Sequence, residues 1–145
     1  MDLEIAEFLN KLKKNRYFKE LWVHHKYLPP TDSKYQNTEK ELSPKLHHYL
    51  KDSGISNLYL HQARSIDLVR KKNDIVVVTP TASGKSLVYN IPVLESIEKY
   101  PRVNALYLFP FKALGQDQYQ WLANTVGALG WLPQNTVAVY DGDTL

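Results

Sequence analysis

Thr79 to Ser86 spell TPTASGKS, a run in which a glycine, a lysine and a hydroxyl residue follow one another as they do in loops that cradle phosphate. That chemistry needs backbone N–H groups turned inward, one ammonium, and one hydroxyl able to ligate a metal. The candidate cradle is Thr81, Ala82, Ser83, Gly84, Lys85 and Ser86, with the N–H groups around Ala82 to Lys85 aimed at phosphate oxygens. Gly84 permits close backbone approach, Lys85 places its ammonium between β and γ phosphates, and the Ser86 hydroxyl ligates Mg²⁺. Two residues depart from the usual pattern: Thr79 stands where the strict motif has glycine, and Ala82 where glycine is frequent. The implied ligand is ATP or a close relative, with Mg²⁺. Other constellations fail. The adjacent pairs His24/His25 and His47/His48 point in different directions on any helix, and with no cysteine in the chain nothing completes a zinc site.

A phosphate loop works only if a strand delivers it and a helix leaves it. Ile75 to Val78 is a short, β-branched run that reads as a strand buried on both faces, and a helical pattern starts at Lys85 and reaches Ile97, bent or interrupted by Pro92. VNALYLF after Pro101 reads as a second strand, and Thr136 to Tyr140 as a third. Between these, Lys112 to Thr125 favours helix, with Leu114, Trp121 and Leu122 available to the core. Upstream, Ser43 caps a short helix that opens on Pro44 and ends near Gly54, and Leu60 to Arg70 is another helix. The alternation of strand and helix predicts an α/β domain with a mostly parallel sheet. Asp2 to Trp22 reads as an amphipathic helix, with Ile5, Phe8, Leu9 and Leu12 on one face and lysines on much of the other, either a docking helix with a solvated back or a basic helix facing DNA, the docking reading being favoured by the pattern. Irregular chain around Pro29 and Pro30 then divides an extension, residues 1–42, from a domain at 43–145.

The bulk composition agrees with a folded domain: 145 residues, 43% hydrophobic and 23% charged, with a formal net charge of +3. That charge tolerates a polyanionic partner without demonstrating one. Disulfides and thiolate chemistry are excluded by the lack of cysteine. No apolar run resembles a signal peptide or membrane span, so the expectation is no membrane association and a cytoplasmic location, or nuclear in a eukaryote.

Four ordered blocks carry a resemblance: GISNLYLHQ at Gly54 to Gln62, TPTASGKS, ALYLFPFKALGQDQ at Ala105 to Gln118, and VAVYDGDT at Val137 to Thr144. Together they resemble the first motor domain of superfamily 2 DEAD/DEAH-box DNA helicases of the RecQ4-like, Hrq1/MrfA type. The resemblance implies a RecA-like P-loop NTPase domain preceded by a helical extension. It further implies ATP and Mg²⁺ as cofactors, adenine recognition by Gln62 with Tyr59 as an apolar wall, and contact of Lys112 and Gln116 with nucleic-acid phosphates. The partner so implied is DNA, single-stranded or at a duplex junction, with a role in DNA repair. Phe111 stands where that family has threonine, so one hydroxyl contact is missing, and an aromatic after a buried strand is expected to pack into the domain. Asp141 and Asp143 form a turn rather than a magnesium site, because the family's metal-facing acidic motif lies farther along the chain.

That acidic motif and the arginine fingers of a second motor domain are expected beyond Leu145, as the remainder of the helicase. On this reading the isolated chain binds nucleotide but neither turns it over at a motor-like rate nor unwinds DNA. Two other functions remain compatible with the residues: a catalytically inert nucleotide-binding fragment, and another phosphate-loop ATPase or kinase.

Overall fold

A computed structural model of the chain describes residues 3–29, 31–100, 102–132 and 136–144. The sequence expectations that involve Asp2, Pro30, Pro101 and Leu145 lie outside the described residues. The chain divides into two compact units, residues 1–32 and 33–145.

In the first unit, α1 (Leu3–Lys14) is shorter than its apolar periodicity suggests. Asn15 ends it: its side chain accepts the Tyr17 N–H at 2.9 Å and its carbonyl accepts those of Phe18 and Lys19 at 3.2 and 3.0 Å. An Asn side chain offers the backbone an alternative to the helical ladder, and a 3-10 turn at Lys19–Leu21 follows. Ile5 and Phe8 remain exposed, so the docking face that the sequence predicts has no partner within the described part of this unit.

Among its described residues the second unit is built from four helices: α2 (Pro44–Asp52), α3 (Leu60–Arg70), α4 (Ser86–Lys99) and α5 (Lys112–Leu129). Ser43 Oγ accepts the Leu46 N–H at 3.3 Å at the start of α2, and Gly54, at φ +83°, closes its end while Ile55 N–H donates to Leu50 at 2.8 Å. α4 runs through Pro92 to Lys99, beyond the expected interruption. Pro92 is buried beside Ile91 and Leu94, and that burial offsets the lost backbone hydrogen bond. α5 likewise continues past Thr125 until Gly130 adopts the left-handed conformation at φ +63°.

The core gathers Leu46 and Leu50 from α2, Ile66 from α3, Leu87, Ile91 and Leu94 from α4, and Val126 and Leu129 from α5. Leu122 joins the buried set and Trp121 packs on it, but Leu114 is exposed. Leu114 lies two turns before Leu122, about 12 Å along the axis, and so beyond the cluster. α2 meets α5 through a 2.8 Å hydrogen bond between Tyr49 Oη and Thr125 Oγ1.

The three expected strands form no ladder among the described residues. Burial instead alternates along 75–79 and 137–140, with Val76 91% and Val78 89% exposed. The reading of Ile75 to Val78 as buried on both faces is therefore corrected. One face meets the body of the unit and the other is uncovered, a period-2 pattern proper to a half-buried strand. The pairing present among the described residues is one antiparallel bridge, Tyr35 with Tyr59, flanked by Gln36 N–H to Leu58 at 3.1 Å and Leu60 N–H to Lys34 at 2.8 Å.

Candidate functional site

The loop from Thr79 to Ser86 enters α4 with two residues at positive φ, Ala82 at +58° and Gly84 at +72°. The second position requires glycine twice over, since a Cβ there would also collide with Gln62 Nε2. Ala82 holds its conformation without that freedom, at a cost of about 1 kcal/mol typical of a non-glycine residue in this region. Thr79 finds a use that glycine lacks: its Oγ1 lies 2.6 Å from Ser83 Oγ, tying the two ends of the loop.

Lys85 folds over the loop. Its Nζ donates to the carbonyls of Thr79 at 2.8 Å and Pro80 at 2.6 Å, and lies 3.4 Å from Ser83 Oγ. Among the described residues no acceptor meets the N–H groups of Ala82, Ser83, Gly84 or Lys85. Consecutive free donors, an ammonium held by two loop carbonyls and the Ser83 hydroxyl, and a half-buried Ser86 at the first position of α4 are a donor set that suits an oxyanion with a magnesium ion. Thr81 is exposed at the tip.

The first turn of α3 pins this loop. Gln62, 2% exposed, accepts the Tyr59 N–H through Oε1 at 2.8 Å and donates from Nε2 to the Gly84 carbonyl at 2.8 Å. Each amide atom keeps one hydrogen-bonding valence. His61 Nε2 sits 3.1 Å from the Ser83 carbonyl, so two neighbouring side chains clamp two neighbouring loop carbonyls. Beside them, Tyr35 stacks on Tyr59 at 5.2 Å and Tyr59 on His61 at 5.8 Å. A cavity of about 440 Å³ opens here, between the Gly54–Asn57 turn, Tyr59 and Gln62 on one side and Ala82, Gly84, Ser86 and Trp121 on the other. Asn90, one turn into α4 from Ser86, also lines it; the side chain is fully buried and neither amide atom has a partner. The sequence reading missed His61, Tyr35 and Asn90. Only the adjacency of His61 to Gln62 hinted at the first, and nothing in the spacing marked the other two.

Lys112 and Gln116 do not line this cavity; both are exposed on the first turns of α5. The Lys112 ammonium is ion-paired with Asp143. Asp143 is itself presented by a turn in which its N–H donates to Asp141 Oδ1 and the Asp141 N–H to Thr144 Oγ1, both at 2.9 Å. No group of His, Asp or Glu able to hold a metal occurs among the described residues, this turn included. Phe111, expected to pack inward, is 71% exposed, because as the residue preceding α5 it lies outside the helix that would turn it to the core. Behind α4, burial pushes the Tyr107 hydroxyl well above the usual tyrosine range, with nearby Tyr89 adding to the shift, so it stays neutral.

A model of the DEAD/DEAH box helicase family matches residues 59–144, more than half of the chain. Over 140 residues the chain is 39% identical to the uncharacterized ATP-dependent helicase YprA of Bacillus subtilis, covering 97% of this chain and 18% of that protein. It is 31% identical over 140 residues to the ATP-dependent helicase HRQ1 of Saccharomyces cerevisiae, covering 97% and 13%. The crystal structure of the helicase MrfA bound to DNA and AMPPNP superposes with a TM-score of 0.70 at 39% identity, over 81% of this chain and 16% of that one. The chain thus spans less than a fifth of the length of these proteins. The family and the structural match support a RecA-like fold. Among the described residues no helix is long and apolar enough to cross a membrane.

Proposed function

This chain belongs to the DEAD/DEAH box helicase family, and from that membership we propose that it supplies ATP binding and part of a DNA-binding face to an ATP-dependent DNA helicase. Residues 43–145 are the nucleotide-binding portion of the first motor domain and residues 1–42 an extension to it. The observation that carries the reading is the loop at Thr79–Ser86, with free N–H groups and Lys85 folded over it, whose Ser83 and Gly84 carbonyls are held by His61 and Gln62. Lys85 exchanges the carbonyls of Thr79 and Pro80 for phosphate oxygens, and the donors of Ala82 to Lys85 surround the same group. Ser86 holds Mg²⁺, which when bound neutralises phosphate charge. Tyr59 walls the base, and Gln62 uses its remaining donor and acceptor on an adenine edge.

Lys112 and Gln116 contact DNA phosphates, for which Lys112 must leave Asp143. The alternating burial along 75–79 and 137–140 supports the further reading that these segments, with 103–109, are strands of a mostly parallel sheet. MrfA, the structural match, binds DNA and a nucleotide analogue in its crystal, which supports both ligands here.

Calorimetric titration of ATP into the chain and its Lys85→Ala variant, with circular dichroism as the folding control, tests the reading. At least a tenfold loss of affinity is expected, since a charge-assisted contact to phosphate is removed. Equal affinity in two equally folded proteins overturns it.

A further inference from the structure

The cations of this chain are unevenly placed. Residues 11–28 read KLKKNRYFKELWVHHKYL, in which Lys11, Lys13, Lys14, Arg16, Lys19 and Lys26 face a single carboxylate, Glu20. That excess is larger than the +3 of the whole chain, so the rest of the molecule is net acidic. All six cations are exposed, and among the described residues none of them forms an ion pair. Interleaved with them are exposed rings: Tyr17, 84% accessible, with Phe18 and Tyr27. Lys13 already lies over the Trp22 ring at 5.2 Å, and Trp22 sits 5.8 Å from His25.

Unpaired cations call for a polyanion, and exposed aromatic faces call for flat apolar groups to cover them. One polymer offers both at a repeat of a few ångströms, a nucleic-acid strand whose bases are not paired. A duplex hides its base faces in the stack, leaving Tyr17, Phe18 and Tyr27 nothing to cover. An acidic protein would meet the lysines but provides no array of planar rings. We propose that residues 11–28 are a second nucleic-acid contact, distinct in sequence from Lys112 and Gln116, which takes single-stranded nucleic acid through phosphate neutralisation and base stacking. It rests on the nucleic-acid part of the function proposed above and adds a site to it.

Fluorescence anisotropy of a labelled oligothymidylate with the full 145-residue chain, over a series of salt concentrations and without nucleotide, tests it. Substituting Lys11, Lys13 and Lys14 together by Gln is expected to weaken binding at least tenfold at low salt and to reduce the slope of log K against log salt by about 2. The pair Tyr17→Ser and Tyr27→Ser is expected to weaken binding about tenfold with the slope unchanged, an outcome that charge alone does not produce. The matching Lys→Arg triple retains affinity, which separates lost charge from lost folding. If Lys112→Ala abolishes binding while these variants bind as the parent does, the N-terminal site is overturned and the earlier reading stands. If the variants bind normally but change the sedimenting mass, the surface docks protein and the proposal is again overturned. If the parent chain binds no oligonucleotide, both fall together, with ATP binding left to its own test.

Discussion

Thr79 and Gln62 show how a departure from a motif is absorbed by the atoms around it. Where glycine would leave the loop's start unrestrained, the Thr79 hydroxyl closes on Ser83, and Gln62 locks Gly84 from the other side. Asn90 has no such compensation, with both amide atoms buried and unpartnered. A buried amide without hydrogen bonds is a stability deficit, and an apolar side chain of similar shape removes it. Asn90→Leu is therefore expected to raise the unfolding free energy by about 1–2 kcal/mol, read from urea denaturation at constant slope. A loss of more than 1 kcal/mol would mean that the amide has an ordered water as partner.

The helices behind the loop are joined by charge. Arg70, at the end of α3, donates to Glu95 of α4 at 2.9 and 2.5 Å, to Asp67 at 3.1 Å, and to the Lys40 carbonyl at 2.7 Å. The hydrogen bond to Glu95, more than any other influence, raises the guanidinium above its ordinary pKa. A group whose folded pKa is raised contributes fully below its unfolded value, so this link is intact through the whole physiological range and weakens only in strong alkali. Arg70→Met keeps the packing of the stem and strands two carboxylates. It is expected to cost about 2 kcal/mol, less than a fully buried pair because water reaches part of the site. The deficit should be the same at pH 6 and pH 9; thermal unfolding across that range checks it, and a deficit that vanishes at pH 6 would point to the carboxylates instead.

At the scale of the molecule, the segments 75–79 and 137–140 present alternate residues to the body of the second unit, and Val76, Val78, Leu106, Leu108 and Tyr140 are open to solvent. Uncovered apolar faces are an association hazard unless the segments pair and something covers them. If they pair as proposed, the amides of 75–78 and 105–108 should exchange with deuterium about a hundredfold more slowly than those of the Lys72–Asp74 turn. Exchange at the same rate would return these segments to loops and leave the helices as the ordered framework.

Much of this protein is set by its sequence alone. The Ser43 and Gly54 caps and the helices Pro44–Asp52 and Leu60–Arg70 were legible because each depends on residue type and spacing within a few positions, where chain connectivity supplies the geometry. Tertiary structure decided what distant residues do to one another. Nothing local announced that Gln62 and His61 would each reach across 22 positions to a loop carbonyl, or that Lys112 would be ion-paired with Asp143. The same holds for Phe111 and Leu114, apolar by type yet exposed, and for Asn90, polar yet buried. Burial is a property of where elements pack, and a side chain's chemistry settles only what that placement costs.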